Sequence, residues 1–169
     1  MTGDPRPRRG TTFVTRVPDL PDVPPTQVPP SDNDARAREV VGRMIERDAF
    51  SKWLGIEVLE VADKRAVIRM TVRPEMANGF GFAHGGIAFA FADSAHAFCS
   101  NSAGEISVAT DCHISYPAAI KVGDVLTAAA EQRTESNRLG FSDIVITNQD
   151  GKVVALFKGT VYRTRKPLP

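Results

Sequence analysis

The chain has too few cysteines for a disulfide framework or a cysteine-rich zinc site, since Cys99 and Cys112 are the only two. We interpret both as small buried hydrophobic residues of a protein from a reducing compartment, and we expect a cytoplasmic location. There is no apolar run of about 18 residues, so no segment is predicted to span a membrane. The N-terminus lacks the apolar stretch of a secretory signal, so export is not expected.

An excess of charge of one sign is also lacking, because 21 basic residues oppose 20 acidic ones and leave a net charge of +1. Such a balance provides no electrostatic footprint for nucleic acid. Aromatic residues make up 7% of the chain, with a single tryptophan, which leaves little surface for stacking on single strands. A nucleic-acid partner is therefore not expected.

Proline is scarce in most of the chain but crowded near its start, where the first 30 residues hold eight of the 12 prolines. A segment of this composition forms neither helix nor strand ladder and buries little apolar surface. We therefore predict a disordered or extended tail over residues 1–33. Residues 34–165 are predicted to form one folded domain with an ordinary core, and residues 166–169 a short C-terminal tail.

The folded part is predicted to contain a helix, two strands, one long helix and four further strands. Apolar residues recur at helical spacing from about 35 to 50, after N-capping side chains. The segment "GIEVLEVADKRAVIRMTV" predicts a hairpin that turns at Asp63 and Lys64, and Asp150-Gly151 marks another. Because short turns join most neighbouring strands, we expect an antiparallel sheet with the long helix on one face, an α+β fold.

The long helix in "HGGIAFAFADSAHAFCSNSAG" carries one carboxylate, Asp93, among apolar residues. Phe89 makes the face around Asp93 apolar, so the helix is apolar on both sides and a second subunit is expected to cover it. A buried carboxylate either pairs, here with His96 one turn later, or acts as a general base or nucleophile. The pattern leaves both open. The stripe predicted to face the sheet consists of Ile87, Phe91, Ala95 and Phe98.

The start of this helix, His84-Gly85-Gly86, has two residues without side chains in its first turn, where backbone N–H groups lack intrahelical partners. These donors and the helix dipole can hold an anion or a developing oxyanion. Asp93 follows Gly85 by eight residues, about 12 Å along the axis. One helix therefore does not bring both groups to one carbonyl carbon, whereas two antiparallel helices from neighbouring subunits would. His84 is interpreted as a residue that caps or fixes the loop.

Other catalytic and cofactor motifs are not matched. "GFGFAHGG" fits neither the dinucleotide fingerprint nor a P-loop. No G-x-S-x-G turn exists, and Ser94 lies inside the predicted helix, which argues against a serine hydrolase. The three histidines, His84, His96 and His113, are too dispersed for a metal site that is local in sequence. We predict no metal and no redox cofactor.

With these residues in view, the chain resembles the hot-dog fold thioesterases, above all the branch acting on phenylacetyl-CoA-type thioesters in phenylacetate degradation. The resemblance spans residues 50 to 164 and rests on linked spacings. Asn78 lies six residues before the His84-Gly85-Gly86 run, Asp93 nine residues after His84, and "NSAG" starts at residue 101. It implies an antiparallel sheet wrapped around one long central helix, with active sites at the interface of a homodimer and a homotetramer built from dimers.

The resemblance also implies roles for individual residues. Asp93 would act as base or nucleophile, and the Gly85 amide would stabilise the carbonyl oxygen of the thioester. Asn78 would position water or substrate, and His84 would orient the loop. A hydroxyl from a strand of the other subunit, that of Thr110, would assist.

The implied activity is hydrolysis of an aryl-acetyl or medium-chain acyl-CoA to the free acid and CoA, without a cofactor, since coenzyme A belongs to the substrate. The phosphates of CoA require basic side chains. Phe80 and Phe82 are candidates either for the acyl pocket or for anchoring the loop, and Gly86 permits close approach of a ligand. The basic candidates, for which a solvated surface is the alternative, are Arg138, Lys158, Arg163 and Arg165.

Two other functions stay open at this point. A non-catalytic hot-dog module that binds acyl-CoA would need the glycine amides but not Asp93. A hydratase on the same fold would use an Asp-His pair, which Asp93 and His96 would imitate.

Overall fold

The computed structural model describes residues 31–169, so most of the predicted Pro-rich tail lies outside the described residues. The described chain forms three α-helices, one short 3₁₀ turn at Pro74–Met76 and six strands. The helices are α1 (Asp32–Arg47), α2 (Ala49–Leu54) and α3 (Gly85–Asn101). The strands are β1 (Glu57–Ala62), β2 (Arg65–Thr71), β3 (Glu105–Ser115), β4 (Val125–Glu135), β5 (Leu139–Thr147) and β6 (Val153–Pro167).

Hydrogen bonds at the two ends of the described chain mark where its regular structure begins and ends. The Asp34 N–H donates to Ser31 Oγ at 3.2 Å, and the Ser31 N–H donates to Asp34 Oδ2 at 2.9 Å. This reciprocal capping starts α1 at residue 32 rather than near 35. At the other end β6 passes residue 165, and the Leu168 N–H donates to the Gly104 carbonyl at 3.0 Å.

The single helix predicted over about 35–50 is two helices, α1 and α2, separated at Asp48. The Asp48 backbone is extended, with φ −89° and ψ 90°, and its Oδ1 accepts a hydrogen bond from the Ser51 N–H at 2.9 Å. Because an N-cap residue needs this backbone conformation, Asp48 ends one helix and starts the next.

The six strands form one sheet in the order β1-β2-β4-β5-β6-β3, and every neighbouring pair is antiparallel. This confirms the predicted α+β class. The β1–β2 hairpin turns at Asp63 and Lys64 as expected, whereas a five-residue loop around Gly151 joins β5 to β6. Strand β3 follows α3 in the chain and pairs only with β6. Strands β1 and β3 are therefore the two edges of the sheet.

Helix α3 packs along one face of the sheet and positions the residues of interest. Phe91, Ala95 and Phe98 are buried as predicted, and Ile87 is partly buried. Its C-terminal end is tied to the edge strand by Asn101, whose Oδ1 accepts from the Ser107 N–H at 2.8 Å and whose Nδ2 donates to the Ser107 carbonyl at 3.2 Å. In residues 31–169 no helix is both long and apolar enough to cross a membrane.

Candidate active site

The first turn of α3 is organised by His84, which occupies the N-cap position. Its Nδ1 accepts a hydrogen bond from the Gly86 N–H at 2.9 Å, and its own backbone N–H donates to the Met76 carbonyl at 2.8 Å. Because Nδ1 acts as an acceptor, the ring proton resides on Nε2. Gly86 is predicted to contact the substrate. Because its N–H already donates to His84, this N–H is not available as a donor to the substrate.

The Gly85 amide is a free donor at this end of the helix. Within residues 31–169 the Gly85 N–H has no hydrogen-bond acceptor, while its carbonyl accepts from the Tyr116 hydroxyl at 2.8 Å. A Cβ on Gly85 would lie 3.3 Å from that hydroxyl oxygen, so glycine lets Tyr116 approach. An unpartnered N–H at a helix N-terminus is suited to stabilise an oxyanion.

Asn78 shapes the loop that leads into α3. Its Oδ1 accepts from the Phe80 N–H at 2.8 Å and from the Phe82 N–H at 3.3 Å, and its Nδ2 amide has no hydrogen-bond partner within the described residues. Asn78, Phe82, Gly85 and Tyr116 line a cleft of about 210 Å³. The side chain of Phe80 lies outside this cleft and is 88% exposed in a single chain.

Asp93 lies in the middle of α3 and is half-buried. Within the described residues its carboxylate forms neither a salt bridge nor a hydrogen bond, so the stabilising pair with His96, one of the two alternatives left open by the sequence, is not formed. Burial alone raises the pKa of Asp93 above its ordinary value. A carboxylate that is desolvated but unpaired is a stronger base than a solvated one, which suits general-base chemistry.

Two further side chains stand beside Asp93. The Asp93 carboxylate, an imidazole nitrogen of His96 and the Cys112 sulfur all lie within 4.8 Å of one another. Burial lowers the pKa of His96 to about 4, so its ring is neutral at pH 7. Burial raises the pKa of the Cys112 thiol, and the nearby Asp93 charge raises it further.

The sequence analysis missed Cys112 as a neighbour of Asp93, although the pattern of β3 indicates which face of the sheet Cys112 occupies. Cys112 and Ile114 are partly buried against the core, whereas Asp111 and His113 are exposed. This alternation places Cys112 on the face of the sheet that meets α3.

Thr110, the hydroxyl predicted to assist from another subunit, sits in a β-bulge of the edge strand. The register between β3 and β6 shifts between Ala109 and Asp111, and Thr110 is the extra residue. Its Oγ1 donates to the Thr160 carbonyl at 3.2 Å, and its side chain is exposed. A bulge re-aims a side chain relative to the regular pleat.

The predicted CoA-binding cations do not lie beside Gly85 within one chain. Arg138 is in the β4–β5 turn, where its Nη1 contacts the Arg163 carbonyl at 3.5 Å. Lys158 is on the sheet face away from α3, because its neighbours in β6 on both sides face the helix. A basic residue near the Gly85 cleft is Lys121, which forms a β-bridge with Phe82 and which the sequence analysis did not select.

Comparison with known proteins agrees with this architecture. The profile of the thioesterase superfamily matches residues 80–155. Acyl-coenzyme A thioesterase PaaI of Escherichia coli is 42% identical over 120 residues, which cover 71% of this chain and 86% of that protein.

The chain belongs to the thioesterase superfamily.

Solved structures show the fold of this thioesterase. The Escherichia coli PaaI protein from the phenylacetic acid degradation operon superposes with a TM-score of 0.79 at 38% identity, over 80% of this chain and 99% of that one. A hypothetical thioesterase from Streptococcus pneumoniae, solved with coenzyme A, superposes with a TM-score of 0.64 at 29% identity, over 66% and 90%. The predicted hot-dog fold and the predicted enzyme class, a thioester hydrolase, are thereby confirmed.

Proposed function

We propose that this thioesterase hydrolyses aryl-acetyl or medium-chain acyl-CoA thioesters to the free acid and CoA. The name of the PaaI relative and the coenzyme A bound to the pneumococcal relative support a CoA thioester as substrate. The acyl group is proposed from the resemblance to the phenylacetate branch. The reaction needs no cofactor, because water, a base and an oxyanion donor suffice to hydrolyse a thioester.

The observation that carries this proposal is the separation of two complementary groups on one helix. The Gly85 N–H is a free donor at the start of α3, and the Asp93 carboxylate is a free base eight residues later, about 12 Å along the axis. Neither group alone accounts for hydrolysis. We propose that Gly85 of one subunit and Asp93 of a second subunit form each site, with the two α3 helices antiparallel.

The edge strand β3 supports this assembly. It pairs with β6 on one side only, and Val108, in the middle of the strand, is 52% exposed. An edge with apolar side chains is a template for pairing with another chain. We propose a homodimer as the active unit and a homotetramer of two such dimers, with Thr110 of the edge strand reaching the neighbouring site.

In the proposed reaction Asp93 of one subunit removes a proton from water, and the resulting hydroxide attacks the thioester carbonyl carbon. The carbonyl oxygen becomes an oxyanion that accepts a hydrogen bond from the Gly85 N–H of the other subunit. When the tetrahedral intermediate collapses, the C–S bond breaks and the CoA thiolate takes up the proton held by Asp93. Direct attack by the Asp93 carboxylate, through a mixed anhydride that water then hydrolyses, is the alternative route.

The other candidate residues support this reaction around the cleft. His84 holds the first turn of α3, and the Nδ2 amide of Asn78 is proposed to position water or the carbonyl group. Phe82 lines the cleft and is proposed to contact the acyl group. Lys121, together with Arg138 and Lys158 of neighbouring chains, is proposed to contact the phosphates of CoA.

The test is release of free thiol from a panel of acyl-CoA thioesters by the full chain. We expect Asp93→Asn to lower kcat by at least about 10²-fold, because it removes the base but keeps the size of the side chain. Asp111→Asn, which neutralises an exposed carboxylate on β3, is the matched control and should retain activity.

The same assay separates the other two functions. A module that only binds acyl-CoA would bind the ligand in calorimetry but release no thiol from any member of the panel. A hydratase would consume an enoyl-CoA without release of CoA. If Asp93→Asn were as active as the wild type, the proposed role of Asp93 would be wrong.

A further inference from the structure

The group formed by Asp93, His96 and Cys112 brings together an oxygen, a nitrogen and a sulfur donor. Their ligand atoms lie within 4.8 Å of one another. Within the described part of the chain, no hydrogen bond or ion pair joins these three side chains. The three donors are therefore close together and uncommitted to one another.

The fold holds this group in place through Gly159. In the β3–β6 ladder Gly159 is the partner of Cys112, and the His96 ring packs directly over Gly159. A Cβ at Gly159 would lie only 2.8 Å from His96 Nε2 and closer still to other ring atoms. The ring also packs against Phe157, with 5.8 Å between ring centroids. His96 is thus fixed next to the strand that carries Cys112.

A second observation concerns the same imidazole ring. His96 is 1% exposed, yet its Nε2 has no hydrogen-bond partner among the described residues. A buried polar atom without a partner costs about 1–3 kcal/mol, so such atoms usually serve a water, an ion or a reaction. An imidazole nitrogen without a hydrogen-bond partner can offer its lone pair to a metal ion.

We propose that Asp93, His96 and Cys112 bind one divalent ion of the zinc type and that this ion inhibits the enzyme by occupying Asp93. Carboxylate, imidazole and thiolate are all ligands that zinc accepts, and three protein ligands leave one tetrahedral position for water. Magnesium and calcium are disfavoured, because they require oxygen ligands. This proposal departs from the sequence analysis, which predicted no metal because the three histidines are dispersed along the chain. The cluster needs only one of them, His96.

Binding of the ion releases one proton from the protein. The Cys112 thiol is protonated without metal and becomes a thiolate when its sulfur binds the ion, so one proton leaves to solvent. The same protonation state argues against Cys112 as the nucleophile of the thioesterase, since a thiol attacks only as thiolate. The inhibitory effect, unlike the binding, rests on the proposed role of Asp93 in hydrolysis.

Cobalt(II) titration of the full chain tests the binding directly. We expect one ion per chain and a thiolate-to-cobalt charge-transfer band in the near ultraviolet. Cys112→Ser should abolish the band and weaken binding by at least about tenfold, whereas Cys99→Ser, at the other cysteine, should keep both. Absence of the band in the wild type, or an unchanged band in Cys112→Ser, would overturn the site.

The second part of the proposal, inhibition by the bound ion, is tested by measuring thiol release in the presence of zinc. The rate of each protein with zinc is divided by its own rate without metal. We expect Cys112→Ser to need at least about tenfold more zinc for the same inhibition than the wild type and Cys99→Ser. Cobalt bound at the cluster, with thiol release unaffected or stimulated by zinc, would overturn inhibition through Asp93. A chain without thioesterase activity would refute the proposed function, while the cobalt titration would still decide the site.

Discussion

The beginning and the middle of α3 differ in whether their polar groups are held by hydrogen bonds. At the beginning, hydrogen bonds hold His84, Asn78 and the Gly85 carbonyl, and the Gly85 N–H stays free. In the middle, the side chains of Asp93 and His96 are desolvated and form no hydrogen bonds within the described residues. Hydrogen bonds fix geometry, whereas desolvation changes proton affinity. One region is thus built to place a donor and the other to tune a base.

Removing the Gly85 N–H should cause the largest loss at the beginning of α3. Gly85→Pro deletes this donor at the first helical position, where proline fits a helix and where the extended backbone of His84 is compatible with it. We expect kcat/KM to fall about 10²- to 10³-fold, the usual cost of one oxyanion donor. Gly85→Ala keeps the N–H and should lose less. Equal losses in both variants would contradict the role of the donor.

Mixing two inactive variants should reveal whether the two regions meet across subunits. In a heterodimer of Gly85→Pro and Asp93→Asn chains, one site carries both changes and the other carries none. With random exchange, half of the dimers are mixed and each has one intact site, so activity should recover to about a quarter of the wild-type value. Thiol release after unfolding and refolding the mixture measures this recovery. No recovery, with mixed dimers shown by mass spectrometry, would place both groups of a site in one subunit.

The neutral state of His96 should make stability depend on pH. Its pKa is about 4 when folded and about 6.5 when unfolded, so the unfolded chain binds the extra proton between these values. The free energy of unfolding should therefore fall as pH drops from 6.5 to 4, by up to roughly 3 kcal/mol. Urea unfolding at pH 7 and pH 5, with a chelator present, measures the effect. His96→Leu should lack this component, and an equal pH dependence in both proteins would contradict it.

Tyr116→Phe should have the smallest effect, because it removes one neutral hydrogen bond to the Gly85 carbonyl and leaves the N–H in place. We expect kcat to fall about three- to tenfold with little change in KM. In the Gly85→Pro background the same substitution should have almost no further effect. A full additional loss in that background would mean that Tyr116 acts independently of Gly85.

Much of α3 was predictable from sequence, because both its start and its buried face are encoded locally. The His-Gly-Gly run marks the first turn, and Phe91, Ala95 and Phe98 recur at helical spacing. The two hairpins were predictable for the same reason. The break at Asp48 was not, since apolar residues continue at helical spacing beyond it and only the capping bond to Ser51 shows the interruption.

The rest depended on contacts between distant parts of the chain. Whether β3 pairs with β4 or β6 is decided by long-range packing, which no local pattern reports. Cys112 becomes a neighbour of Asp93 only through that choice of partner strand. Tyr116 reaches a carbonyl 31 positions earlier in the chain, which no spacing rule would indicate.

The contact between His96 and Gly159 has a consequence for how this protein varies in evolution. Because the imidazole occupies the space that a side chain at position 159 would need, neither position can change freely while the other stays the same. A chain that replaces His96 by alanine gains room for a side chain at 159, and that side chain would then stand where the imidazole meets Cys112. We therefore expect positions 96 and 159 to covary among relatives, with histidine accompanied by glycine.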